Sequence, residues 1–83
     1  MDIEIRAARS KALLNNDHFI DTLRDLRERQ KDVFVNSAAS DVEAREEAHA
    51  IVRALDAIEV SLKADVDAVT ILKKRKEQHR GND

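Results

Sequence analysis

The chain contains almost nothing that would stop an α-helix. It has no proline in its 83 residues, and its one glycine, Gly81, lies close to the C-terminal end. Proline and glycine are the residues that most often end or kink a helix. Apolar residues recur at helical spacing through most of the sequence, and the clearest interruption is the run Ser-Ala-Ala-Ser at 37–40. The sequence therefore predicts an all-α fold in a single domain, residues 1–83.

Two helices are predicted before this interruption. A short helix over 3–14 carries the stripe Ile3, Ala7, Ser10 and Leu14, and a longer helix over 17–36 carries the stripe Phe19, Leu23, Leu26, Gln30 and Val33, with Ile20 and Phe34 on its flank. Asn-Asn-Asp at 15–17 lies between the stripes, and such residues favour helix caps, with Asp17 as the expected cap. We predict a kink or short turn at 15–17, and one continuous helix is the alternative.

A third, long helix is predicted over 41–78. Ser40 and Glu43 fit the capping box S-x-x-E, in which each side chain bonds the other residue's backbone amide. Acidic residues follow in the first turns and basic residues occupy the last turns, which complements the helix dipole. Residues 79–83 are predicted to form a disordered, basic and polar tail.

Two stripes run along the third helix. The bulky one predicts knobs-into-holes packing against another helix, and it reads Ala44, Ala48, Ile51, Leu55, Ile58, Leu62, Asp65, Val69 and Leu72. The second is almost entirely small and predicts a protein interface that another helix approaches closely; it reads Ala50, Ala54, Ala57, Ser61, Ala64, Ala68 and Ile71.

These features predict a coiled-coil-like, antiparallel hairpin of two long helices with a short N-terminal helix, because the connection at 37–40 is short. Its core of Ala, Val, Ile and Leu is thin for a small domain, so we expect the protein to be oligomeric. Gln30 and Asp65 interrupt the two seams. A polar residue at such a position either fixes the register of packing or leaves the bundle open there, and both interpretations remain.

Charge is unevenly distributed. Residues 1–72 hold 10 Lys/Arg and 15 Asp/Glu, net −5, whereas residues 73–83 hold 5 and 2, net +3. This basic end could contact nucleic-acid phosphates or an acidic protein surface, or it could be a solvated helix end. The candidate contact residues are Lys73, Lys74, Arg75, Lys76 and Arg80.

No pattern in the chain predicts catalysis. Glu46 and His49 form half of the Glu-x-x-His motif of di-iron bundles, but His49 falls on the polar side of its helix, where a solvated histidine is expected. Asp17 and His18 are adjacent and do not face each other on a helix. The absence of cysteine excludes disulfides and thiolate metal sites. We therefore expect no enzyme activity, no catalytic or metal-binding residues and no cofactor. With no apolar run of ~20 residues and no signal-peptide pattern, we expect no membrane partner.

Four segments carry a resemblance: ALLNNDHF at 12–19, LRDLR at 23–27, DVEAREE at 41–47, and ALDAI at 54–58 followed by Leu62. Together they resemble a family of small helical proteins of tailed bacteriophages, encoded among genes for virion assembly and DNA packaging. The resemblance covers about residues 10–66 and brings no catalytic residues with it. It implies a place in the host cytoplasm or the virion.

The resulting expectation is a non-enzymatic helical interaction or assembly protein, in particular a virion or head-assembly component of a bacteriophage. Its partners would be further copies of itself, a larger phage structural protein, or both. The alternative is a packaging-type, nucleic-acid-binding oligomer, similar in role to a small terminase subunit and using the basic C-terminal residues. A third hypothesis is a small inhibitor of a host enzyme.

Overall fold

The computed structural model of the protein describes the backbone of residues 2–81 and the side chains of residues 2–78. Over that range it contains three α-helices and no strand: α1 (Ile3–Leu14), α2 (Asp17–Asn36) and α3 (Val42–Gly81). The predicted all-α fold is confirmed. The helices begin and end within three residues of the spans expected from the sequence.

The chain breaks between α1 and α2, so the alternative of one continuous helix is wrong. The backbone N–H of Asn15 donates to the carbonyl of Lys11 at 3.0 Å and closes α1. The side-chain oxygen of Asn16 accepts a hydrogen bond from the amide of Phe19 at 2.9 Å and caps α2. Asp17 is the first residue of α2 rather than its cap, and its charge lies near the positive end of the helix dipole.

The capping box predicted at Ser40 is wrong by one residue. Asp41 precedes α3, and its Oδ1 accepts a hydrogen bond from the amide of Ala44 at 3.2 Å. Aspartate and serine are comparable as N-caps, and a helix that begins at Val42 places Asp41 within reach of the third amide. Ser40 lies exposed in the preceding turn.

The guanidinium group of Arg45 strengthens the same connection. It donates hydrogen bonds back to the carbonyl oxygens of Ala38 and Ala39, the latter at 2.9 Å. The amide of Asp41 also donates to the carbonyl of Ala38 at 2.9 Å. These bonds hold the short loop of residues 37–41, which returns α3 along the preceding helices.

The far end of α3 was also predicted incorrectly. The helix continues to Gly81, so residues 79–81 are helical rather than a disordered tail. No residue between Lys73 and Arg80 disfavours a helix, and the basic residues complement its negative C-terminal end. Residues 82–83 lie outside the described range.

The two shorter helices lie end to end along α3 and antiparallel to it, α1 on its C-terminal half and α2 on its N-terminal half. The molecule measures 65 × 25 × 20 Å. A helix of 40 residues is about 60 Å long, so α3 spans nearly the whole molecule. The architecture is a hairpin in which one arm is broken and the other is continuous.

The core is thin. The buried apolar side chains are Ala7, Leu23, Ala48 and Leu55, and among the residues described here no large side chain is fully buried. The accessible surface is 6712 Å², whereas a folded monomer of 9.4 kDa is expected to expose about 5,000 Å². The chain thus leaves roughly 1,700 Å² more surface in water than a compact protein of the same mass.

Two residues of the predicted seams are exposed. Ile58 is 44% exposed and Val33 is 43% exposed. The residue after Ile58, Glu59, is half-buried and pairs with Arg27 of α2. Leu62, Asp65, Val69 and Leu72 continue the stripe and are half-buried, so Ile58 is a local exception at the place where Glu59 faces α2. We expected Ile58 in the hairpin seam, and that expectation is wrong.

Candidate interaction surface

The predicted small stripe forms an open face on α3, which we call the outer face. Helices α1 and α2 pack on another side of α3 and leave this face uncovered. Ala68 is half-buried, and the remaining residues are exposed. The outer face consists of Ala50, Ala54, Ala57, Ser61, Ala64, Ala68 and Ile71. Its use as an interface stays a prediction.

Larger apolar side chains accompany the alanines. Ile71 is 52% exposed at one end of the outer face, and Ile58 borders the face near its middle. Scattered apolar residues are normal on a protein surface, but a strip of mainly apolar residues along one helix, here interrupted by Ser61, is typical of a contact site. The strip is narrow and nearly flat, because alanine side chains project little.

Charged residues occupy both ends of this strip. Successive residues of an α-helix are rotated by about 100°, so Glu43 and Glu47 continue the outer face before Ala50, and Arg75 continues it after Ile71. Glu46 and Lys76 flank it at the same two ends. All five side chains are exposed. The outer face is therefore acidic at its start, apolar in the middle and basic at its end.

On the covered side, Asp65 ties α1 to α3. Its Oδ2 accepts a hydrogen bond from the hydroxyl of Ser10 at 2.7 Å, and its Oδ1 lies 3.2 Å from Nε of Arg6. Ser10 is only 4% exposed. At this position the polar interruption of the seam fixes where α1 docks, which was one of the two interpretations left open by the sequence.

Arg27 ties α2 to α3 in a similar way. Its guanidinium lies 2.7 Å from Oε1 of Glu59 and 3.0 Å from Oδ1 of Asp56. The hydrogen bond that Arg27 donates to the Glu59 carboxylate is the main cause that raises the pKa of Arg27 above its usual value, with burial acting in the opposite direction. Arg27 therefore carries its positive charge throughout the neutral pH range.

Gln30, the other polar interruption, has a different outcome. It is half-buried and lines an open crevice of about 280 Å³ together with Phe34, Ala48 and Val52. Here the packing between α2 and α3 opens towards solvent. The two interpretations of a polar seam residue thus apply at different places, register at Asp65 and opening at Gln30.

The sequence interpretation missed an apolar patch at the closed end of the hairpin. Phe34 is 50% exposed, Val35 is 76% exposed and Val42 is 50% exposed. Three consecutive apolar residues, Val33 to Val35, cannot all face one side of a helix. This run could have predicted an exposed apolar patch, because at least one of its three residues had to face solvent.

The four consecutive basic residues near the C-terminal end of α3 do not form one basic surface. Lys73, Lys74, Arg75 and Lys76 are exposed, and none forms an ion pair with any side chain of residues 2–78. Being consecutive, they point in four different directions around α3. The side chain of Arg80, the remaining predicted contact, lies outside the described residues.

The side chains considered for catalysis or metal binding are exposed. His49 is exposed and borders the crevices beside Phe34, with Glu46 nearby. Across residues 2–78, whose side chains are described, no three His, Cys, Asp or Glu side chains come together as a metal site would require. Within the same span, no helix combines the length and apolar character needed to cross a bilayer.

Comparison with protein-family models, with curated protein sequences and with solved structures found no match to this chain.

Proposed function

We propose that the protein is a non-enzymatic assembly protein that works by packing the outer face of α3 against another helix. The surface excess carries this proposal, because roughly 1,700 Å² of extra exposure is more than the ~800 Å² that each partner buries in an interface of standard size. A chain with so few buried side chains gains stability from association.

The resemblance to small proteins of tailed bacteriophages supports a role for this activity in virion assembly. In that setting the protein packs against further copies of itself or against a larger structural protein of the virion, in the host cytoplasm or in the particle. Helix packing at an alanine-rich face suits such a role, since small side chains let two helix backbones approach closely.

The test enlarges one residue at the centre of the outer face. Replacing Ala57 with Leu overpacks a close helix contact, which typically costs ~1–3 kcal/mol. Lys63→Leu is the matched control, because Lys63 is 64% exposed and lies on another side of α3. Analytical ultracentrifugation should show weaker association for Ala57→Leu only. Circular dichroism should show unchanged helix content in both variants.

The proposal fails on a clear outcome. A wild-type chain that sediments as a monomer at ~100 μM would have an affinity too weak for stable assembly. If such a monomer also fails to co-purify with capsid or portal protein when these are co-expressed, the outer face has no partner of the proposed kind.

A second candidate function is a packaging-type, nucleic-acid-binding oligomer. One observation favours it: Lys73, Lys74, Arg75 and Lys76 are exposed and free of ion pairs within the part of the chain whose side chains are described. Free cationic groups of this kind bind phosphates and release counterions. Against it stands the net −5 of residues 1–72, which repels a duplex.

A further inference from the structure

Two acidic and two basic residues at the opposite ends of the outer face are complementary when the helix is reversed. Glu43 and Arg53, which also lie along or beside the face, have no oppositely charged counterpart in this pattern. Glu47 lies 14 residues before Ser61 and Arg75 lies 14 residues after it. Glu46 and Lys76 lie 15 residues before and after the same serine. A second copy of α3 laid antiparallel, with a two-fold axis near Ser61, would therefore place Glu46 and Glu47 each beside a basic residue.

We infer that the partner of the outer face is a second copy of this chain, bound antiparallel through α3 with the two-fold axis near Ser61. This inference rests on the proposed function and names its partner and orientation. A two-fold contact uses the same patch on both copies, so the patch must complement itself. The acidic, apolar and basic order of the outer face meets that condition.

A parallel pair would not meet it. In that arrangement Glu47 would lie beside the Glu47 of the partner, and Arg75 beside the Arg75 of the partner. Like charges opposed across an interface suppress the wrong arrangement, and opposite charges favour the right one. Each antiparallel ion pair also occurs twice by symmetry, so its effect on the orientation is doubled.

The apolar middle of the face fits the same arrangement. The axis passes near Ser61, and the alanines on either side of it, Ala54, Ala57 and Ala64, are small enough for helix axes about 8 Å apart. The half-exposed Ile58 and Ile71 would then be covered by the partner. Helices α1 and α2 lie away from this contact, so dimerisation requires no rearrangement of the hairpin.

The length of the contact is also sufficient. From residue 47 to residue 75 the outer face extends for about 42 Å along α3. The surface exposed beyond that of a compact monomer, roughly 1,700 Å², exceeds the ~800 Å² per subunit of a standard interface. The elongated molecule as a whole therefore exposes more additional surface than one such interface covers.

Cysteine cross-linking tests the orientation without background, because the natural chain has no cysteine. Ser61→Cys should form a disulfide-linked homodimer on mild oxidation, since the axis brings the two thiols together. Glu47→Cys and Arg75→Cys should each fail to link with themselves. Mixed together, with one carrying a size tag, they should link to each other.

Lys63→Cys is the control for random collision, being exposed on a different side of α3. Ser61→Cys should cross-link at least about tenfold faster, because a dimer holds its two thiols at high effective concentration. Equal rates for the two variants would overturn the inference. So would self-linking of Glu47→Cys, which is the signature of a parallel pair.

Failure here can be told apart from failure of the proposed function. An oligomeric mass with parallel links, or with no link at Ser61→Cys, overturns the antiparallel dimer and leaves an assembly protein. A monomeric wild type that co-purifies with capsid or portal protein overturns the second copy as partner only. A monomeric wild type without either partner overturns both proposals.

Discussion

The hydroxyl of Ser10 donates a hydrogen bond of 2.7 Å to the carboxylate of Asp65, and the two residues lie 55 positions apart in the chain. This contact joins the middle of α1 to the C-terminal half of α3. Nε of Arg6 lies 3.2 Å from Oδ1, the other oxygen of the same carboxylate. Helix α1 buries only Ala7 and Ser10. The contacts of Ser10 and Arg6 with Asp65 therefore contribute much of the stability with which α1 packs on α3.

Replacing Ser10 with Ala should loosen α1. The change removes a hydrogen bond to a charged acceptor in a part-buried place, a loss of about 1–3 kcal/mol. Amide hydrogen exchange should rise along α1 and stay near its wild-type rate in α2. Thr22→Ala is the control, because the Thr22 hydroxyl bonds only the carbonyl of His18 in its own helix. Unchanged exchange in α1 would contradict the proposed role of Asp65.

Replacing Arg27 with Lys should destabilise the hairpin by roughly 0.5–1.5 kcal/mol, because an ammonium group cannot contact two carboxylates as a planar guanidinium does. The Arg27 side chain is 27% exposed and bonds both Asp56 and Glu59. Arg24→Lys is the matched control, since Arg24 is 67% exposed and pairs only with Asp21 in its own helix. Urea midpoints should separate the two variants, and equal midpoints would refute a bridging role for Arg27.

Removing the cap of α3 should distinguish Asp41 from its neighbour. Asp41→Ala should cost about 0.5–2 kcal/mol because the amide of Ala44 loses its acceptor. Ser40→Ala should change stability by less than ~0.5 kcal/mol, as expected for an exposed surface substitution. Chemical denaturation at fixed protein concentration measures both. A larger loss from Ser40→Ala would restore the capping box.

The helix geometry also changes what a DNA titration should show. Four phosphate contacts would give a log–log salt slope near −3.6, at ~0.9 per contact. Because Lys73 to Lys76 point in four directions, only about two of them can contact one duplex at a time. The salt slope should therefore be no steeper than about −1.8. We expect little or no binding at ~50 mM salt, since so few contacts supply little affinity.

A steep slope would contradict that expectation. Gel-shift titrations of the wild type should be compared with a variant carrying Gln at positions 73–76. A wild-type slope near −3.6 that disappears in the variant would favour the packaging-type function, with several copies contributing to one site.

Local sequence patterns predicted the helices well, but the sequence did not predict the contacts between residues far apart in the chain. Asn15 and Asn16 indicated the break because caps depend on neighbouring residues alone. Ser40 and Asp41 are both good caps, so the choice between them depended on where α3 begins. Asp65 was ambiguous because its partners, Arg6 and Ser10, belong to another helix, and periodicity does not reveal which side chains meet across a seam.

The candidate site shows the same division. The outer face of α3 followed from spacing, whereas the patch at the hairpin end depended on how far α2 covers α3. Phe34 was expected beside the seam, but it is 50% exposed. Ile58 was likewise expected in the seam, but it is 44% exposed and the neighbouring Glu59 is half-buried instead.

The crevice between α1 and α3 is lined by Glu4 and Lys73 together. The start of α1 and the last turns of α3 therefore lie at one end of the molecule, and the loop of residues 37–41 lies at the opposite end, in a molecule 65 Å long. A tether fused to either terminus of the chain would hold the molecule by the first of these ends alone. The loop and its apolar patch would then point away from the anchor, so the protein presents a defined tip when it is immobilised.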